Sequence, residues 1–198
     1  MQAGARFVGL VLFARSPRFL APDRAAALAA QAKGRIETVA LLVNPDEEAL
    51  QAAACLMPDW LQLHGHESPA RTAQARQYAR KGVIKALAIA QPEDLRAASA
   101  YAGAADMLLF DAKPPIGADR PGGNGLAFDW RLLHGQRFAR PWMLSGGLDP
   151  ENVAQAMRLS GAKLVDASSG LESAPGVKDN SRIAAFVQAV MAAQIQEA

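Results

Sequence analysis

LVDASSGLESAPGVKD, residues 164–179, starts as an apolar strand and breaks off into small donor residues: Asp166, then Ser168-Ser169-Gly170, then the Pro175-Gly176 pair. Main-chain N–H and hydroxyl groups are thereby gathered at the carboxyl end of a strand, where α/β proteins hold their ligands. The same grammar recurs upstream. Short β-rich runs at Phe7–Phe13, Thr38–Val43, Trp60–His64, Val83–Ile89, Met107–Phe110, Trp142–Leu144 and Lys163–Val165 alternate with helical patterns at 22–33, 46–56, 68–81, 92–101, 128–134, 150–159 and 180–194. Strand starts fall about 21 to 35 residues apart, the length of one strand-plus-helix unit. Pro22-Asp23, Asn44-Pro45-Asp46, Ser68-Pro69, Pro92-Glu93-Asp94 and Asp149-Pro150 supply helix starts.

The strands are uniformly apolar, so both faces of a parallel sheet should be buried. Nearly every strand also ends in something chemical: Arg15 and Arg18, Asn44, His64, Asp111, Ser145-Gly146-Gly147, and finally 166–170. A doubly wound sheet concentrates its site at one switch point, whereas a (β/α)8 TIM barrel brings every carboxyl end to one rim. The distribution favours the barrel, with seven strands where a closed barrel needs eight. In such barrels the last two loops commonly grip a phosphate. Gly146 and Gly147 let the main chain approach an anion, and Ser168, Ser169 and Gly170 add donors.

Bulk properties bound the function. The 198 residues, 51% hydrophobic and 20% charged, suit a single domain over 1–198 with one sizeable core. A net charge of +2 without a basic stripe argues against nucleic acid or an acidic membrane as partner. The apolar stretch after Arg6 is short for a signal peptide and runs into Ser16-Pro17-Arg18, a turn with no small-residue cleavage site. One cysteine cannot form an internal disulfide, which suits a cytoplasmic protein. That residue, Cys55, lies in a helical segment, where burial as a small apolar side chain is expected. His64 and His66 at i, i+2 are too little for a metal site, and the glycines of 122–125 are not followed by the last glycine of a dinucleotide fingerprint.

Taken together, Ser16-Pro17-Arg18, LQLHG (61–65), LLFDAK (108–113), PGGNGLAFDW (121–130), LSGGLDPENV (144–153) and VDASSGLESAPGVKD (165–179) resemble the phosphoribosylanthranilate isomerases of tryptophan biosynthesis, in order and over essentially the whole chain. The resemblance implies a (β/α)8 barrel without a cofactor, catalysing the Amadori rearrangement of a small phosphosugar as monomer or homodimer. It gives Asp111 as the general acid, Arg18 as the clamp on the anthranilate carboxylate, His64 as a pocket residue, and Asp166 as the contact to a substrate hydroxyl or amine. Gly122, Gly123 and Gly125 would form a lid-like loop, with Asn124 standing where the family usually has threonine.

The beginning departs from the family, whose first strand ends Lys-Ile-Cys-Gly and supplies a cysteine as general base. Met1-Gln2-Ala3-Gly4-Ala5 matches the turn after the first helix, so the resemblance implies that strand 1 is missing and that the chain as written has negligible turnover. Two rivals stand beside this reading. An indole-glycerol-phosphate synthase-like barrel would need a lysine acid, for which Lys85 and Lys113 are the candidates. A barrel fragment could also bind phosphorylated ligands without turnover.

Overall fold

The computed structural model of the chain describes residues 3–114, 117, 122–123 and 125–196. Six parallel strands form one sheet in sequence order: β1 (Phe7–Val11), β2 (Glu37–Leu42), β3 (Trp60–Leu63), β4 (Gly82–Ile89), β5 (Met107–Ala112) and β6 (Trp142–Leu144). Helices α1 (Pro22–Ala32), α2 (Glu47–Ala54), α3 (Pro69–Ala75), α4 (Ala97–Ala100), α5 (Val153–Ser160) and α6 (Asn180–Gln196) lie in the crossovers and at the end of the chain. The architecture is α/β, as the alternating pattern required.

Side-chain alternation along the strands separates two apolar layers. Leu61, Leu63 and Val83 pack with Leu50 and Ala53 of α2 on the helix side. Leu108, Phe110 and Leu144 do the same against α5 and α6. On the other face Val39, Ile84, Ala86, Met107, Leu109 and Met143 form an interior cluster. Phe7 of β1 and Leu164, from opposite edges of the sheet order, both pack on that cluster, so the sheet is curled. Because each face is apolar, the strands carry no solvent-facing polar alternation.

Several sequence expectations need correction. Lys163–Val165 is no strand: it contributes one parallel bridge, Val165 to Leu144. β6 has only three residues, and its neighbour can pair only at its end. The helical patterns at 68–81 and 128–134 are cut short into 3-10 turns at Arg76–Tyr78 and Trp130–Leu133, while 92–101 is helical but begins as a 3-10 turn, Pro92–Arg96, before α4. The Pro175-Gly176 turn closes an antiparallel hairpin, β7 (Glu172–Ala174) with β8 (Val177–Lys178), outside the strand runs that the sequence predicts. Cys55 is exposed rather than buried, because it is the C-cap of α2 and the buried face of that helix is taken by Leu50 and Ala53. Among the described residues no helix is long and apolar enough to cross a membrane.

Candidate active site

Parallel strands deliver their carboxyl ends to one mouth, and the polar residues that interrupt the apolar runs collect there. Gln62 on β3 is buried despite its amide, and His64, two residues on, projects to the same side. The Gln62 amide donates to His64 Nδ1 at 2.9 Å, which leaves the ring proton on Nε2. Nε2 in turn donates to Asp111 Oδ2, on β5, at 3.1 Å. The other Asp111 oxygen accepts the Ala112 N–H at 2.9 Å.

Gly122 covers this pair. A Cβ there would stand 2.5 Å from both Asp111 Oδ2 and His64 Nε2, so only a glycine lets the chain pass so close. A Cβ on Gly123 would likewise stand 2.8 Å from Arg18 Nη1, whereas one on Gly125 would make only ordinary contact with the Ser169 hydroxyl at 3.7 Å. Asn124 and Pro121, part of the same motif, lie outside the described residues.

Arg18 comes from the loop after β1 and is largely buried beneath the β7–β8 hairpin. Its Nε and Nη2 donate to Glu172 Oε1 and Oε2 at 2.7 and 2.8 Å. Lys178 Nζ reaches the same carboxylate at 2.9 Å and the Ser168 carbonyl at 2.8 Å. Burial would raise the Glu172 carboxyl, but hydrogen bonds from Arg18 and Lys178 outweigh it and bring the pKa down to about 2.

Asp166 lies beyond the Val165 bridge and accepts the Ser145 hydroxyl at 3.2 Å. Burial holds its carboxyl above the usual range, and the negative charge of Asp111 adds to the effect. The carboxyl groups of Asp111 and Asp166 thus face one space.

Arg18, His64, Asp111, Gly146, Gly147, Asp166, Ser168 and Ser169 line a single cavity. Gly146 and Gly147 take φ of 93° and 64°, and a Cβ on Gly146 would come within 2.7 Å of the Ala112 nitrogen. Among the described residues no acceptor takes the N–H groups of Gly146, Gly147, Ser168 or Ser169, so they are available to an anion. Gly170 is set one layer back. Its Cα faces the Leu148 carbonyl too closely for any side chain, and its own carbonyl accepts Arg182 Nε at 2.8 Å.

Sequence reasoning names Ser145 only as a strand-end residue without a role, and it passes over Gln62 and Glu172. Gln62 had left a signal, a lone amide inside an apolar strand. Glu172 had none, since its partner Arg18 is 154 residues away. Of the residues weighed for other chemistries, His66 is exposed, Lys113 is half exposed and faces Asp94 at 3.5 Å, and Lys85 is buried in β4.

Comparison with known proteins places these features in context. The family model described as N-(5'phosphoribosyl)anthranilate (PRA) isomerase matches residues 1–189. The N-(5'-phosphoribosyl)anthranilate isomerase of Paracoccus denitrificans (strain Pd 1222) is 54% identical over 188 residues, 94% of this chain and 87% of that protein. Among solved structures, phosphoribosyl anthranilate isomerase from Thermotoga maritima superposes with a TM-score of 0.84 at 31% identity, covering 96% of this chain and 90% of the other. A phosphoribosyl anthranilate isomerase in complex with reduced 1-(o-carboxyphenylamino)-1-deoxyribulose 5-phosphate gives 0.82 at 29%, with the same coverage.

Proposed function

Because this chain belongs to the N-(5'-phosphoribosyl)anthranilate isomerase family, we propose that its cavity is where N-(5'-phosphoribosyl)anthranilate becomes 1-(2-carboxyphenylamino)-1-deoxyribulose 5-phosphate. The reaction is an aldose-to-ketose isomerisation in tryptophan biosynthesis. The observation that carries the assignment is the convergence on one cavity of the His64–Asp111 pair, Arg18, and the free N–H groups after β6 and Val165. We read the curled sheet as part of a (β/α)8 barrel, since both of its edges pack on one interior cluster.

The chemistry divides among these groups. The phosphate sits on the N–H groups of Gly146, Gly147, Ser168 and Ser169, whose dipoles favour an anion. Arg18 meets the anthranilate carboxylate with the donor that Glu172 leaves free, Nη1, which faces Gly123. Asp111 gives its proton to the ribose ring oxygen, the C1–O bond breaks, and the anilino nitrogen lone pair forms the iminium. A base then takes the C2 proton, the C2–H electron pair becomes the C1=C2 bond of the enolamine as the nitrogen recovers its lone pair, and protonation at C1 with loss of the O2 proton gives the ketone, while Asp166 holds a sugar hydroxyl or the nitrogen. Cys55 is no candidate for the base that takes the C2 proton. It is exposed and borders a groove with Ala5, Arg6 and Lys81, at the opposite end of the strands.

The synthase alternative loses its acid. Lys85 has all three of its donors engaged, and Lys113 points to Asp94 outside the cavity.

Calorimetric titration with reduced 1-(o-carboxyphenylamino)-1-deoxyribulose 5-phosphate tests the assignment without requiring turnover. Binding should weaken roughly 100-fold or more when the phosphate is removed, as loss of several charge-assisted hydrogen bonds demands. Asp111→Asn should bind the ligand but lose about 100- to 10,000-fold of any turnover followed by substrate fluorescence. Equal binding of phosphorylated and dephosphorylated ligand would remove the phosphate site from the cavity.

A further inference from the structure

An ammonium in the middle of an apolar strand is costly unless every proton finds an acceptor. Lys85 of β4 meets that condition. Only 1% of its side chain is exposed, as is 1% of its partner Glu67. Nζ donates to the carbonyls of Leu63 and Gly65 at 3.2 and 2.7 Å and to Glu67 Oε2 at 2.8 Å. Those two carbonyls belong to the residues on either side of His64.

Glu67 completes the grip. Its Oε1 accepts the Asn44 N–H at 2.7 Å, and the Gly65 N–H bridges Oε1 and Oε2 at 3.1 and 3.0 Å. The Tyr101 hydroxyl donates to the Glu67 carbonyl at 2.8 Å. Gly65 has no room for a Cβ against Asn44. The main chain from 63 to 67 is therefore tied at every turn, and the His64 imidazole projects from it toward Asp111. Lys85 borders a cleft beside His64 and Asp111 but does not line the cavity of the phosphate loops.

We propose that Lys85, paired with Glu67, is a positioning residue for the isomerisation: it clamps the main chain on both sides of His64 and so holds the ring against Asp111. The proposal rests on the role given to Asp111 above. A single tetrahedral ammonium can serve three acceptors in divergent directions, which a planar guanidinium or a neutral side chain of similar length cannot. Relaxation of the clamp by about 1 Å would open the 3.1 Å His64–Asp111 hydrogen bond, a displacement of the kind that costs about 100-fold in rate.

Three full-length variants test this: Lys85→Met, Glu67→Gln, and the double change Lys85→Met with Glu67→Met, which removes both charges and keeps the interior neutral should the single changes fail to fold. The first readout is the nitrogen-15 spectrum of the His64 ring, identified by its loss in His64→Asn. The parent should show one fixed tautomer with Nε2 protonated, and the folded variants should show tautomer averaging. The second readout is the split between kcat and KM, with kcat falling about 10- to 100-fold and KM moving less than about threefold. A folded variant that keeps the parent's ring signal, or one that loses it while kcat stays unchanged, overturns the proposal. The ring signal needs no turnover. If the parent proves not to be an isomerase, the spectrum alone still decides whether the clamp holds His64.

Discussion

Arg18 enters the cavity with half of its fork already occupied, and this shapes what can be measured at single residues. The Glu172 carboxyl, normally near 4.5, is held at about 2, so the folded state prefers it ionised. The stabilisation is complete above the unfolded value, about pH 4.5, and disappears as pH falls through the folded value toward 2. The stability gap between the parent and Glu172→Gln, measured by urea unfolding, should shrink by up to about 3 kcal/mol between pH 5 and pH 2. A gap that stays constant over that range would mean Arg18 and Lys178 do not hold the proton off. Gly122 offers a test of a different kind. Its backbone is not in the left-handed region, so Gly122→Ala carries no conformational penalty, yet its methyl would press on Asp111 and His64 at 2.5 Å. Turnover or ligand affinity should drop at least about tenfold while the melting temperature stays within about 2 °C of the parent. A melting temperature that collapsed would mean that the loop is structural rather than a cover.

Elements differ in how plainly the chain announces them, and the reason is where their determinants lie. Helix starts were legible because caps are local. Asp46 accepts the Ala49 N–H at 2.8 Å and Ser68 the Arg71 N–H at 3.2 Å, each from within the same motif. Helix ends were not, because tertiary pairing decides them. After Ala75 the chain must reach the Asp59 carbonyl with the Lys81 N–H, and the helix gives way to a 3-10 turn and extended Ala79. The strands β1 to β5 followed from uniform hydrophobicity, while Lys163–Val165 carried the same signature without a full partner to pair with. In the site, His64, Asp111 and the glycine and serine loops stood out as polar interruptions of apolar runs, whereas the Arg18–Glu172 contact spans nearly the whole chain and no local pattern records it. One helix end is local enough to predict in energy. α5 closes on Gly161 at φ 76°, its N–H bonded to the Met157 carbonyl at 2.8 Å. Gly161→Ala should cost about 1 kcal/mol through the left-handed conformation alone, lowering the melting temperature by about 2 to 4 °C. An unchanged melting curve would show that the end of α5 relaxes freely.

At the scale of the whole molecule the cavity works as a tie between distant parts of the chain. Its lining runs from Val11 at the end of β1 and Arg18 in the loop after it to Ser168 and Ser169 beyond the last bridge, although β1 and Val165 are opposite edges of the sheet order. Apart from any ligand, those edges are joined through the interior cluster and by Glu172 and Lys178, which link Arg18 to the Ser168 carbonyl. A molecule with a carboxylate at one end and a phosphate at the other would span the same gap and bind only when both edges are in place. Such a ligand stabilises the folded chain by RT ln(1 + [L]/Kd), about 2.7 kcal/mol at a concentration 100 times Kd. For a chain of this size that corresponds to a rise in melting temperature of roughly 5 to 11 °C. Inorganic phosphate, which engages one edge only, should give the same rise at the same multiple of its own Kd, so the two ligands are told apart by where they suppress local opening. Hydrogen exchange should then slow at both the Arg18 loop and the 166–171 segment with the two-ended ligand, and at 166–171 alone with phosphate. Protection confined to one edge in both cases would mean that the cavity is two half-sites, and the substrate would have to be held by the phosphate loops without help from Arg18.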